Sequence, residues 1–428
     1  MADAANVRMS ARAPPENARA LPEIDALRGV AVILLLALHC GVLRYGWIGV
    51  WLFFVISGFV ITHSLLRRGE PGQGGAASFL DFMRRRGFRI WPALLIYAAI
   101  ALMASAFSGG GVEWAAFLSA IGFVTNLYNM TGRPDLSPFP INHAWTLAVE
   151  LHFYLLFGLA FFKLGRRVLI FALLAIIAAT PLIRIAVSAW GLERYGPTGA
   201  FHSVYMFTFC HLDSFAFGAL LAIFRERILR SPEIIFYILA GGMAAATSYV
   251  CFAFCLNLSS GAQGADLFRN ILSGELYGGG REIVVYSAVA LGAAALVLAA
   301  LIRTPGLARV LSSNMLREIG RVSYGVYIYH AAVVTVCVAV LGLLVGAEEP
   351  MDSDNIVNNL IVFALASPIA FLVARMSHRW IETPMIDYGR RVGRRLRAGG
   401  TPSVAPIIPR LPRTDSCSAE RSNAQASP

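Results

Sequence analysis

The sequence predicts an all-α membrane protein, a polytopic bundle of about ten transmembrane helices. Of its 428 residues, 57% are hydrophobic and only 14% are charged, and the mean hydropathy is +0.64. Soluble domains carry roughly 25% charged residues, so this composition excludes an ordinary soluble fold and a disordered chain. Apolar segments of about 20 residues, the length that crosses a hydrocarbon core about 30 Å thick, recur along most of the chain.

Ten of these segments are predicted to span the membrane, at 24–43, 46–66, 90–107, 143–163, 167–187, 203–224, 234–256, 282–302, 319–345 and 357–377. The segment 112–128 is also apolar. With ten spans and both termini in the cytoplasm, the inner loops hold most of the arginines, as the positive-inside rule requires. An eleventh span at 112–128 would invert every later loop, so we interpret this segment as an outer interfacial helix.

The predicted organisation is therefore a cytoplasmic tail at 1–23, a transmembrane domain at 24–385, and a basic and then disordered cytoplasmic tail at 386–428. No cleavage site follows the first apolar run, which indicates an uncleaved first span in a multi-pass protein of the inner membrane. The net charge of +11 is explained by loop topology, so no nucleic-acid partner is expected. The six cysteines have no metal-ligand spacing, and no metal site is predicted.

Ionisable residues inside the spans are the first candidates for function, because such side chains are costly in hydrocarbon. Arg28 opens the first span, and His39 lies eleven residues further, about 16 Å along a helix. This places His39 near the middle of the bilayer. The alternative is that His39 only packs in the helix bundle with its hydrogen bonds made. Other polar residues are predicted at a similar depth, which weakens this alternative.

The fourth span carries His143 at its outer end and Glu150 two turns deeper on the same helical face. Asp213 falls in the sixth span and His330 in the ninth. A histidine near a glutamate is a reasonable general-base pair, because the carboxylate orients the imidazole. His143, Asp213 and His330 are therefore candidates to line one polar cavity, provided that the helices bundle suitably.

A cluster of arginines precedes the third span, at Arg84, Arg85, Arg86 and Arg89. Arg86 and Arg89 share a helical face and are suited to hold phosphates by bidentate hydrogen bonds. The alternative is that these residues only set the topology, because basic residues at a cytoplasmic helix start need no ligand.

The sequence resembles the acyltransferase family 3 membrane proteins. Its motifs, in order, are Arg28 followed by ten residues and His39, FFVISGFVIT at 53–62, RRRGFRIWP at 84–92 with Arg86 and Arg89, HAWTLAVELHFYLLF at 143–157, GRVSYGVYIYH at 320–330, and HRWIETP at 378–384. They cover residues 24–385.

This resemblance implies an integral membrane O-acyltransferase. The donor would be a cytoplasmic acyl-CoA, with acetyl-CoA the expected form, and it would be a co-substrate, with no bound cofactor. The acceptor would be a hydroxyl of a glycan or glycolipid, in a surface or exported polysaccharide. By the same analogy His39 is the catalytic base, Glu150 its acidic partner, Arg86 and Arg89 contact the donor phosphates, and Arg28 is structural or orients the donor.

The sequence departs from the family pattern at two places. Many members have an Asp where this chain has Trp51, in GVWLFF. After Glu150 the family usually has a second acid and a Gln, where this chain has Leu151 and His152. These differences put the donor or acceptor pocket in question, and with it the activity.

Two other functions compete with the enzyme. A proton-coupled transporter or flippase of a glycan or lipid would use the intramembrane His, Glu and Asp residues as a proton relay. It predicts inverted repeats, and no internal repeat is evident. A structural partner in a polysaccharide-export complex would leave His39 and Glu150 unexplained.

Overall fold

The protein is helical throughout the part of the chain that the computed structural model describes, which comprises residues 21–107, 113–130, 139–264, 266–269, 271, 279–346, 351 and 355–397. Its α-helices are α1 Pro22–His39, α2 Ile48–Leu66, α3 Gly75–Phe107, α4 Trp114–Ile121, α5 Thr125–Asn129, α6 Trp145–Lys163, α7 Arg166–Met206, α8 Leu212–Leu229, α9 Pro232–Ser259, α10 Asp266–Arg269, α11 Arg281–Leu301, α12 Pro305–Leu311, α13 Asn314–Arg321, α14 Ser323–Val345, α15 Ile356–Ser377 and α16 Thr383–Arg397. The N-terminal tail up to residue 20 and the tail from 398 lie outside the described residues.

Nine helical segments in the described ranges are long and apolar enough to cross a membrane. They comprise α2, α3, α6 with the turn before it, α7, α8 with the turn before it, α9, α11, α14, and α15 continued by α16. The first helix is 18 residues long and contains Glu23, Asp25 and Arg28, which lower its hydropathy. The predicted all-helical, multi-pass architecture is confirmed.

Several helices extend beyond the predicted spans. Helix α3 begins at Gly75, fifteen residues before the predicted span, because the arginine-rich segment is helical and continues into the apolar one. Helix α7 runs to Met206 with a kink at Gly196, whose φ of 73° only glycine adopts readily. The predicted span at 203–224 is interrupted by the 3₁₀ turn Thr208–His211, and the helix proper begins at Leu212. Hydropathy registers apolar content and not these backbone breaks.

The apolar segment at 112–128 forms two short helices, α4 and α5, of eight and five residues. At 1.5 Å per residue neither is longer than about 12 Å, far less than the hydrocarbon core. The segment therefore does not span, in agreement with the prediction.

Small residues set the closest helix contacts. A Cβ atom at Gly58 of α2 would overlap the backbone of Phe215 in α8, and one at Gly218 of α8 would overlap the backbone of Val55. Gly29 of α1 lies in the same way against α13, on the carbonyl of Leu316. Glycines at such crossings allow helix backbones to approach closely. The contact of Gly29 with Leu316 fixes the position of α1, and with it Arg28, along α13.

Candidate active site

Arginines from four parts of the chain surround a vestibule of about 800 Å³. It is lined by Arg28, Arg67, Arg68, Arg86, Arg89 and Arg390, together with Asp25, His63 and four less polar residues. Arg86 and Arg89 both face it, as their spacing predicted. Asp25 is the single acidic residue in this lining, against six arginines. The vestibule is therefore suited to bind a polyanion.

Two narrow cavities, of about 70 and 60 Å³, lie beside this vestibule. Both are lined by Arg28, Ser57, Glu150 and Tyr324, so these residues lie between the two narrow cavities. Arg86 and Arg89 line the smaller cavity as well as the vestibule. The three predicted donor-binding arginines therefore come together with Glu150, and we call this group the arginine layer.

Glu150 is held within the arginine layer by two hydroxyl groups. The Ser57 hydroxyl donates to Oε1 at 2.6 Å, and the Tyr154 hydroxyl donates to the same oxygen. The guanidinium of Arg86 lies over the Tyr154 ring, 5.3 Å from its centroid. Glu150 is thus a counter-charge for half-buried arginines, and its carboxylate already accepts hydrogen bonds from neighbouring groups.

Three imidazole rings form a second group, the histidine layer. The ring centroids of His39 and His330 are 4.8 Å apart, and those of His330 and His143 are 5.2 Å apart. His39 is the last residue of α1 and its side chain is exposed, whereas His330 is 1% exposed. The structure therefore brings His39 together with two of the three residues proposed to line a cavity.

The larger of the two narrow cavities extends from the arginine layer, although no histidine of the second layer lines it. In addition to Arg28 and Glu150 it is lined by Thr146 and Tyr327. The Thr146 hydroxyl donates to Tyr327, whose own hydroxyl donates to the backbone carbonyl of His143. Hydrogen-bonded side chains therefore link the lining of this cavity to the backbone of His143.

The predicted pairing of His39 with Glu150 stays a prediction. His39 and His143 both contact the ring of His330, and Glu150 is seven residues after His143, about 10 Å along the helical axis. The carboxylate of Glu150 instead contacts Ser57 and Tyr154.

Asp213 does not belong to either layer. Its carboxylate is fully buried and accepts two hydrogen bonds from Arg184 Nη2, at 2.8 and 2.9 Å. The remaining guanidinium nitrogens donate to the carbonyls of Cys210 and Ile283 and to Ser287. This is a complete ion pair that joins α7, α8 and α11, and Asp213 does not line the vestibule or the two narrow cavities.

The two departures from the family pattern also have structural partners. Trp51 is fully buried and stacks on Tyr286, with ring centroids 4.6 Å apart at an interplanar angle of 10°. His152 Nδ1 is 2.8 Å from the Thr208 hydroxyl, and this bond ties α6 to the turn before α8. Neither residue lines the vestibule or the two narrow cavities.

Ser57, Thr146, Tyr154, Tyr324 and Tyr327 were not singled out from the sequence. A signal was present for the last two, since the motif GRVSYGVYIYH places them three residues apart, on one helical face. In the described part of the chain, no three His, Cys, Asp or Glu side chains are arranged to hold a metal ion.

Comparison with known families was made on the whole chain. A family model described as an acyltransferase domain matches residues 21–375, a range that includes both layers. The chain belongs to this acyltransferase family. The resemblance inferred from the motifs is confirmed.

Curated relatives agree with this assignment. The chain is 28% identical over 389 residues to the peptidoglycan O-acetyltransferase OatA of Listeria monocytogenes, covering 86% of this chain and 56% of that protein. It is 27% identical over 382 residues to O-acetyltransferase OatA of Staphylococcus aureus, covering 87% and 58%. A putative O-acetyltransferase of S. aureus strain COL is 25% identical over 395 residues, with the same coverage. The chain thus spans little more than half the length of these relatives. No solved structure matches it.

Proposed function

We propose that this protein transfers an acyl group, acetyl in the expected case, from acyl-CoA to a hydroxyl of a glycan or glycolipid. The observation that carries the proposal is the cavity at the arginine layer, whose lining residue Tyr327 is hydrogen-bonded to the backbone of His143 in the histidine layer. The arginine layer suits the phosphates of a donor, and the histidine layer holds an imidazole that suits proton transfer from an acceptor. Membership of an acyltransferase family favours this function over a transporter.

The arginine layer is proposed to hold the donor. Coenzyme A carries its phosphates at one end and its thioester at the end of a long flexible arm. Arg86 and Arg89 would bind the phosphates, with Arg28 lining both the vestibule and the narrow cavities beside it. Since Arg28 and His39 are eleven residues apart on α1, the arm would extend about 16 Å from one layer to the other.

His39 is proposed to act as the general base. It takes the proton of the acceptor hydroxyl as the oxygen attacks the thioester carbonyl carbon. The new carbon–oxygen bond forms, the carbon–sulfur bond breaks, and the proton passes from His39 to the departing thiolate. In this scheme Glu150 serves the donor end, because it balances the charge of the arginines and fixes the Tyr154 hydroxyl.

The printed names of the relatives guide the choice of acceptor. One is a peptidoglycan O-acetyltransferase, and the others are named for O-acetyl transfer alone. We therefore propose a cell-envelope glycan as the acceptor. The arginine vestibule would face the cytoplasm and the histidine layer the opposite side of an inner membrane, as the positive-inside rule indicates.

The test of this function is product analysis of surface glycan. Glycan from cells that produce the wild-type protein should carry ester-linked acyl groups that are absent from cells without the gene. Cells that produce His39→Ala at a normal membrane level should lack them too. Unchanged acylation in the cells without the gene would reject the proposal.

A further inference from the structure

His330 is held in a single orientation inside the histidine layer. Its Nδ1 atom is 2.6 Å from the backbone carbonyl oxygen of Tyr327, one turn earlier in α14. A carbonyl oxygen only accepts, so Nδ1 carries the hydrogen, and Nε2 of the neutral ring is an acceptor. Nε2 is buried and no hydrogen-bond partner is found for it. A buried acceptor without a donor is costly, and such groups in proteins usually have a functional or structural reason.

The group that contacts His330 from the exposed side is His39. The two rings are tilted by 52° with their centroids 4.8 Å apart, so rotation of the exposed His39 ring about its Cβ–Cγ bond brings an edge nitrogen toward His330. His143 lies on the other side of His330, and its Nε2 is 3.1 Å from the carbonyl oxygen of Ile328. Both buried rings are thus anchored to the backbone of α14.

We propose that His330 is a positioning residue that fixes the tautomer of His39. Its Nε2 accepts the N–H of one His39 nitrogen, which leaves the other His39 nitrogen as a lone pair facing the acceptor hydroxyl. This inference rests on the proposed function, because it assumes that His39 is the base. It assigns to His330 the orienting role that was predicted for Glu150.

The position of Glu150 supports this assignment. Its Oε1 atom already accepts from Ser57 and Tyr154, and it lies about 10 Å along the helical axis from His143. His330, in contrast, is in ring contact with His39 and has an acceptor to offer. When His39 takes the acceptor's proton, its bond to His330 becomes charge-assisted and therefore stronger. The interaction thus stabilises the state in which the hydroxyl has lost its proton.

The tautomer of His39 can be measured directly by ¹⁵N NMR of the full-length protein in lipid nanodiscs with ¹⁵N-labelled histidine. The His39 signals are assigned by their loss in His39→Gln. Wild type should show one tautomer of His39. His330→Leu, which removes the acceptor, and His330→Asn, whose shorter side chain withdraws its amide oxygen from the position of Nε2, should show a mixture of both tautomers. His330→Gln, whose side-chain oxygen replaces Nε2, should restore the single tautomer.

Transfer of a labelled acyl group should follow the same order. His330→Leu and His330→Asn are expected to lower kcat about 10- to 100-fold with the donor KM unchanged, and His330→Gln should recover most of the loss. His202 provides the matched control, because its ring also lies 3.0 Å from a backbone carbonyl, that of Asn129. His202→Leu should leave both the His39 tautomer and the rate unchanged.

The two readouts separate the two proposals. If His39 keeps a single tautomer in every correctly folded His330 variant, the positioning role is wrong, whatever the rate. If His39 shows a mixture of tautomers in wild type, the positioning role of His330 is wrong as well. If His39→Ala transfers the acyl group as fast as wild type, the proposed function of His39 is wrong even where the tautomer responds to His330.

Discussion

Arg184 and Asp213 show how a charge pair is accommodated inside this bundle. Both side chains are fully buried, and every guanidinium nitrogen has an acceptor. Asp213 also accepts from the Ser287 hydroxyl at 2.6 Å and from the backbone N–H of Ser214 at 2.8 Å. Such a pair is strongly destabilised when one partner is removed, since the other charge remains buried and unpaired.

Asp213→Ala is therefore expected to lower the free energy of unfolding by about 3–5 kcal/mol. The double variant Arg184→Met with Asp213→Leu should lose less, because no charge is left behind. Unfolding in mixed detergent micelles, followed by circular dichroism, measures both. A double variant less stable than Asp213→Ala would show that the pair contributes net stability.

The position of Glu150 in the arginine layer is tested by its energetic coupling. Glu150→Gln and Arg86→Gln should be coupled by at least about 0.5 kcal/mol in unfolding free energy, because the two residues belong to one electrostatic group. Glu150→Gln and His143→Gln should be additive within about 0.5 kcal/mol, since His143 lies in the turn before α6, about 10 Å from Glu150. The reverse pattern of coupling would place Glu150 with the histidines.

Helix α3 joins an apolar segment to the proposed donor site. Its first turns carry Arg86 and Arg89 into the vestibule, and its later turns are apolar enough to span. Arg86→Ala with Arg89→Ala should weaken acyl-CoA binding at least about tenfold, because hydrogen bonds between charged groups contribute about 1.5–3 kcal/mol. The corresponding lysine pair should restore only part of the affinity, as lysine lacks the bidentate fork.

Calorimetric titration of the purified protein with acyl-CoA measures this affinity. Arg230→Ala with Arg309→Ala is the control, since it removes the same charge at exposed positions that do not line the vestibule. Equal weakening by both pairs would mean that only the overall charge matters. Unchanged affinity in the Arg86 and Arg89 pair would leave these residues with a role in topology alone.

Features within one helix were predictable from the sequence, and features between helices were only partly so. The common face of Arg86 and Arg89 follows from their spacing of three residues. The level of His39 relative to Glu150 depends on how α1 slides along its neighbours, which the contact of Gly29 with Leu316 sets. Hydropathy contains no such information, so the sequence alone could not place His39 relative to Glu150.

At the scale of the whole molecule, the arrangement of charge predicts the orientation in the membrane. Gln73 and Ser260 are exposed, and they lie in loops on opposite sides of the predicted topology. In a background without native cysteines, Ser260→Cys should react with an impermeant maleimide on intact cells. Gln73→Cys should react only after permeabilisation. Labelling of Gln73→Cys on intact cells would invert the layout.

In the proposed reaction an acyl group passes from a donor in the arginine layer to a hydroxyl that His39 deprotonates. Its most direct test is transfer of the label from [¹⁴C]acetyl-CoA to a purified glycan by the full-length protein in nanodiscs. Wild type and His202→Leu should transfer at similar rates, and His39→Ala, folded and able to bind the donor, should be at least about 100-fold slower. Transfer by His39→Ala at the wild-type rate would contradict the account.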